Sequence, residues 1–144
     1  MPLGRTSRQN ILDYIMNGTA LSGAHTAGGS YYVSLHTASP GVDGQTSNEV
    51  STSGTAYAPI TTTAADWSTA TSAEPSEVSN SGALSYAQAT GSGFGTVSHF
   101  GLWNHVSTRG TANFLGSEAL AASQAVAAGN TLSFPTGTLK IQLA

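Results

Sequence analysis

Cysteine is absent from this chain of 144 residues, so no disulfide framework and no zinc–thiolate site can form. Charge is scarce as well: four Lys/Arg and seven Asp/Glu, where a globular domain usually carries about a quarter. The cations Arg5, Arg8, Arg109 and Lys140 are scattered, so there is no basic patch to neutralise phosphates. That excludes a nucleic-acid binder. No run approaches the ~18 apolar residues of a membrane helix, and the N-terminal apolar run is broken by Asp13 and is too short for a signal peptide. The expectation is a protein with no nucleic-acid and no membrane partner, made and assembled in a cytoplasm.

In place of charge there is Ser and Thr, roughly a quarter of the chain, with seventeen Gly and much Ala. Such a surface works by shape, hydroxyl hydrogen bonds and apolar contact, which suits docking better than catalysis. The length indicates one domain, residues 1–144, able to bury a real core. Large core formers are few, so self-association would add stability.

One helix is signalled, over about 6–17. Thr6-Ser7-Arg8-Gln9 fits a capping box with Thr6 as N-cap. Ile11, Leu12, Ile15 and Met16 then form a single apolar stripe, and Asn17-Gly18 supplies a stop. A helix this short needs to dock, on this domain's sheet or on a neighbouring subunit.

The remainder, about 30–144, reads as β. Tyr31 to Thr37 alternates, with Tyr31, Val33 and Leu35 on one face and Tyr32, Ser34 and His36 on an outward one. Glu49-Val50 opens a short segment, and Pro59 demotes Tyr57–Thr63 to an edge strand or bulge. Glu77–Tyr86 is a strand region interrupted by a turn at Asn80-Ser81-Gly82. Val97–Trp103 and Thr111–Leu115 are strands, and Thr131–Phe134 with Thr138–Leu143 reads as the last hairpin. Ala64–Ser76 reads as a long loop holding Trp67. Ser117–Ala128 is divided: its alanines favour helix, its Gly-bearing flanks favour hairpin, and strand is preferred by a narrow margin. Short strands at this spacing predict a mainly β domain, an antiparallel, jelly-roll-like β-sandwich with one short N-terminal α-helix.

Chemistry-bearing patterns are weak. Glu74/Glu77 is the only close carboxylate pair and reads as a solvated acidic turn. His25, His36, His99 and His105 have no metal-ligand spacing and read as solvated or hydroxyl-bonded. Gly91–Gly95 matches neither a nucleophile elbow nor a phosphate loop. Asn17-Gly18-Thr19 is a glycosylation sequon whose simpler role is the helix stop. No catalytic residue, cofactor or metal is expected, and the chain is not expected to be an enzyme. The candidate interface residues are Ile11, Leu12 and Ile15 on the helix and Trp67, which either anchors a partner or folds back as a lid on the core.

The run Tyr31-Tyr32-Val33-Ser34-Leu35-His36-Thr37-Ala38-Ser39-Pro40 is followed by Asn48-Glu49-Val50 and Tyr57-Ala58-Pro59-Ile60. Later come Val97-Ser98-His99-Phe100-Gly101-Leu102-Trp103, Phe114-Leu115-Gly116, Val126 to Thr131, and Thr138 to Ile141. This order resembles a family of small virion structural proteins of tailed bacteriophages, described as tail-fibre proteins and in some cases as capsid decoration (cement) proteins. The resemblance covers nearly the whole chain. It departs at Pro59, where arginine is expected after Tyr-Ala, so no role tied to that arginine carries over. It implies a virion location, no catalytic residues, and partners among virion proteins. The first expectation is a decoration protein on the outer head. It would be a homo-oligomer, with a trimer favoured, stabilising contacts of the major capsid protein. The alternative is a tail component (fibre, tip or baseplate module), in which Trp67, Tyr57 and the Gly/Ser loops could stack on host surface glycans.

Overall fold

In chain order the elements are α1 (Arg5–Asn17), β1 (Tyr31–His36), β2 (Ile60–Thr62), β3 (Ser76–Ser79), β4 (Leu84–Ser85), β5 (Gly95–Trp103), β6 (Phe114–Val126), β7 (Ser133–Phe134) and β8 (Lys140–Leu143). The structure is a computed structural model, and it describes residues 3–18, 20–21, 29–72 and 75–143. Four strands form one antiparallel sheet in the order β2-β1-β5-β6, while β3 pairs with β8 and β4 with β7 as two ribbons. The chain is therefore mainly β with antiparallel pairing, and among the described residues it carries one α-helix, near the N-terminus. The divided segment Ser117–Ala128 lies largely within β6 as strand.

The core sits between one face of the sheet and the ribbons. Val33, Leu35, Val97, Phe100 and Leu102 from the sheet meet Leu84, Tyr86, Phe134 and Leu139 from the ribbon side. Val97 and Phe100 differ in parity, yet both point inward, because the ladder slips between Val97 and His99. There Val97 faces Gln124 and His99 faces Ala119, so β6 carries extra residues across this stretch. Such a bulge bends the strand and re-aims its side chains.

The two last strands are not each other's partners, which corrects the hairpin reading. Buried Asn80 occupies the backbone groups that a hairpin would use. Its Nδ2 donates to the carbonyls of Gly82 (2.7 Å), Pro135 (2.9 Å) and Phe134 (3.4 Å). Its Oδ1 accepts from the Leu139 amide at 2.9 Å. β7 is thereby turned to β4 and β8 to β3. The loop holding Trp67 runs beside β3, with Ser68 N–H donating to Ser79 O at 2.7 Å and Thr71 N–H to Glu77 O at 2.9 Å. Lys140 and Gln142 both reach the Glu77 carboxylate, at 2.9 and 2.8 Å, and hold its pKa below the usual glutamate value.

β2 is an edge strand, as Pro59 suggested, and it covers only part of β1. Beyond it, the backbone groups of β1 are taken up otherwise. Val33 O accepts from the Tyr86 hydroxyl (2.8 Å), Leu35 N–H donates to the Tyr57 hydroxyl (2.9 Å), and Leu35 O accepts from Val50 N–H (2.9 Å). Glu49-Val50 thus contributes a bridge to His36 and not a strand. Burial raises the pKa of both tyrosines far above the ordinary value, so both stay neutral donors. Tyr86→Phe is expected to strand the Val33 carbonyl and cost about 1–2 kcal/mol, read as a lower thermal midpoint at unchanged fold.

The opposite face of the sheet is buried too at one end, which corrects the outward placing of His36. Ser34, His36 and Trp103 are fully buried there, and Trp103 packs on Phe114 with ring centroids 4.8 Å apart. The sequence alternation identified two faces; it could not show that aromatics from β5 and β6 cover the second.

Candidate docking surface

Helix α1 begins one residue before the expected range, and its N-cap is Gly4, not Thr6. Tertiary contacts replace the expected capping box. Gly4 N–H donates to Leu115 O at 2.9 Å and Arg5 N–H to Val42 O at 3.0 Å. The Ser7 hydroxyl lies 3.2 Å from Phe114 O and 3.1 Å from Leu115 O. The first turn is thus fastened to the start of β6 and to Val42. At the other end Gly18 adopts φ 65° and its N–H caps Asp13 O, the stop that Asn17-Gly18 predicted.

Past that attachment the helix leaves its apolar residues in solvent. Leu12 is 61%, Tyr14 55%, Ile15 65% and Met16 75% exposed, while Ile11 is half-buried. Ile11, Leu12 and Ile15 do share one face, but past half-buried Ile11 that face finds no cover in its own sheet. Trp67 lies elsewhere. It folds back onto the core edge, its Nε1 donating to Thr62 Oγ1 at 3.1 Å. Its ring lines a shallow apolar depression of about 300 Å³ with Tyr31, Val78, Leu102 and Ile141. Trp67 is half-buried: it packs against the core edge and also lines the open depression. Tyr57 is only 4% exposed and both donates and accepts hydrogen bonds inside, so it is not placed to stack on a sugar.

A feature that sequence reasoning missed is a second apolar groove of about 480 Å³. Its floor is Phe100, Phe134 and Leu139, and the bulged part of β6 forms one wall through Leu120 and Ala122. Glu118 and Lys140 also line it. The signal lay in the Ala-rich stretch that fitted neither helix nor strand cleanly.

A buried polar network lies apart from both grooves. Arg109 Nη2 lies 3.2 Å from Glu49 Oε1, with both side chains mostly buried, and its guanidinium sits 4.8 Å from the centroid of Trp103. Tyr57 donates to the same Glu49 oxygen at 3.1 Å. Burial pushes the Glu49 carboxyl up, while Arg109 and Tyr57 pull it back. Trp103 Nε1 donates to Ser34 Oγ at 2.7 Å, which lies 2.8 Å from His36 Nε2. His36 Nδ1 has no hydrogen-bond partner among the described residues.

Burial, with Arg109 and His99 adding to it, lowers His36 from 6.5 to about 4. The unfolded chain therefore binds a proton in that window that the folded chain refuses. Stability is fully present above the unfolded value and falls as pH drops toward the folded one, by at most ~1.4 kcal/mol per pH unit. His36→Gln is expected to flatten this limb, measured as urea midpoints at neutral pH and about pH 5.

His99 and His105 serve local structure. His99 Nδ1 is 2.8 Å from Ser98 Oγ, and His105 Nδ1 accepts from the amides of Ser107 (3.3 Å) and Thr108 (2.9 Å). Among the described residues, no group of three His, Asp or Glu gathers to hold a metal. His25, Glu74 and Thr19 lie outside the described residues.

The family model for Podophage GP4 fiber I protein gp80 matches residues 2–142. No curated protein matches the chain. The matched span takes in the helix, the whole sheet, the β4–β7 ribbon and most of the β3–β8 ribbon. The match covers nearly the whole chain and not a shared fragment, and the chain belongs to the Podophage GP4 fiber I protein gp80 family, a phage virion structural family of the tail-fibre kind.

Proposed function

We propose that this protein is a structural subunit of a tail fibre on a phage virion, acting through surface contacts and not through catalysis. The family match over residues 2–142 carries the reading. It favours the tail alternative over capsid decoration, which draws no support from a fibre family. The exposed apolar face of α1 supports the same reading, because a fibre subunit needs a surface that seats on a neighbour. Scarce Lys and Arg add to it: few long side chains have to be immobilised on docking, so the entropic cost is low. The partners are virion proteins, with assembly in the cytoplasm of the host. Contact with host glycans is not part of the proposal, since Tyr57 is buried and Trp67 lines an almost wholly apolar depression.

Immunogold labelling of intact particles tests this directly. Gold confined to the tail is the expected result. Gold spread over the head in many copies would overturn it and restore the decoration reading.

A further inference from the structure

We propose that residues 104–113 form a strap that acid releases from the sheet, with buried His36 as its sensor and Arg109 as its latch.

The strap joins β5 to β6 and carries many of its own hydrogen bonds. Asn104 N–H donates to Asn113 O at 3.1 Å, Asn113 N–H to Gly110 O at 3.0 Å, and Asn113 Nδ2 to Thr108 O at 3.0 Å. His105 Nδ1 accepts from the amides of Ser107 and Thr108, and Arg109 Nη1 donates to His105 O at 3.3 Å. Residues 105–108 are exposed. Side chains tie the strap to the body. Thr111 Oγ1 donates to Asp43 O at 3.3 Å, and Arg109 reaches both the Trp103 ring and Glu49. At the root, Asn104 Oδ1 is buried without a hydrogen-bond partner among the described residues, so the closed strap leaves an acceptor unsatisfied.

His36 lies where the latch crosses the sheet. It is fully buried, with His99 of β5 opposite it on one edge and the Glu49 bridge on the other. Trp103 Nε1 and His36 Nε2 meet on Ser34 Oγ. Arg109 therefore holds a neighbour of His36 at each end, Trp103 and Glu49. A Cβ on Gly101 would lie 2.8 Å from Ser34 Oγ, 2.9 Å from His36 Nε2 and 3.0 Å from Trp103 Nε1, so the cluster is packed directly on that backbone.

An imidazolium does not suit this place. It carries N–H on both ring nitrogens. Nε2 can donate to Ser34 Oγ, but Nδ1 has no acceptor among the described residues. The titratable groups around it are Arg109 from the strap, His99 from β5, and Glu49 with Tyr57 beyond the other edge. Arg109 and His99 both oppose the added charge, and Glu49 is already engaged by Arg109 and Tyr57. Water relieves a buried charge of this kind. The two edges of β1 here are held by backbone bonds, to β5 and through Thr37 and Val50 to the Glu49 segment. The strap is held by side chains, so it is the cover that yields.

His36 stands at about 4 in the closed protein against 6.5 in water, so acid within that window favours opening. Glu49 works the other way. Burial raises its carboxyl, and its protonation favours the closed strap. The sensor is thus the imidazole and not the ion pair. None of this depends on where the protein sits on the particle, so the strap and the fibre role can fail separately.

Hydrogen exchange of the full chain, read by mass spectrometry at pH 7 and about pH 4.5 with intrinsic rates corrected, is the experiment. Amides of the strap are expected to exchange about tenfold or more faster in acid, while those of β1 and β5 keep their protection. His36→Gln should remove that response. Arg109→Gln should exchange fast in the strap already at pH 7. His105→Asn should keep the response, since His105 caps the strap from within. Equal strap protection at both pH values in the wild type overturns the proposal. So does a loss that spreads to β1 and β5 together with the strap, which is acid unfolding, or a response that survives His36→Gln. If His36→Gln does not fold, Arg109→Gln decides, because a strap still protected at pH 7 without the arginine has no latch there.

Discussion

Asn80→Ala should lower the unfolding free energy by about 3 kcal/mol or more, with a urea midpoint displaced at constant slope. Asn80 is 1% exposed, and its side chain alone meets three carbonyls and the Leu139 amide. Removing it leaves several buried backbone groups without partners at once, and each costs more to strand than the bond was worth. Asn80→Asp separates the parts of this effect. The carboxylate still accepts from Leu139 but turns a negative charge on the carbonyls of Gly82, Phe134 and Pro135. Burial beside those carbonyls raises its pKa in the folded state. The aspartate variant should then lose stability as pH rises through that raised value, relative to wild type. An Asn80→Ala protein as stable as wild type would show that the two ribbons are held by side-chain packing alone.

Gly44→Ala is the second large effect, expected at about 2–5 kcal/mol. Gly44 has φ +67°, and a Cβ there would lie 2.5 Å from Phe114 Cγ, 2.7 Å from Phe114 Cβ and 2.8 Å from Trp103 Cη2. Both rings are fully buried and cannot step aside. Gly41, three residues earlier, provides the control. Its φ is +68°, but a Cβ would meet nothing within 4 Å. Gly41→Ala should therefore show only the left-handed backbone cost, about 1–2 kcal/mol. The difference between the two midpoints measures the clash against Trp103 and Phe114.

Local patterns were legible wherever a local cause decided the structure. The apolar stripe marked α1, Gly18 marked its end, and alternation marked β1. The helix starts earlier than its local pattern predicts because the Gly4 and Arg5 amides find acceptors in the carbonyls of Leu115 and Val42, far along the chain. The last two strands were mispaired for a similar reason, since the residue that parts them is Asn80, more than fifty positions away. His36 looked outward because alternation counts faces and not layers. Of the candidate site, Ile11, Leu12 and Ile15 could be read from spacing, and their exposure could not. The groove was invisible, because it arises from a bulge in β6 brought beside strands that pair elsewhere. The chain lists its apolar residues in order; which of them remain uncovered depends on contacts across the whole fold.

The hydroxyls of Tyr57 and Tyr86 have a consequence for solubility. A sheet edge with bare amides and carbonyls recruits further strands, and proteins commonly deter this with lysine. This chain has a single lysine, Lys140, on the β3–β8 ribbon and not on the sheet. Along β1, past the short β2, the hydroxyls of Tyr57 and Tyr86 already hold Leu35 N–H and Val33 O, and Val50 holds Leu35 O. A stray strand arriving there meets a ladder whose rungs are taken. Resistance to aggregation on that side is built from neutral phenols instead of repulsion between like charges. It should therefore hold at high ionic strength and near the isoelectric point of about 5.7, where charge-based protection fades.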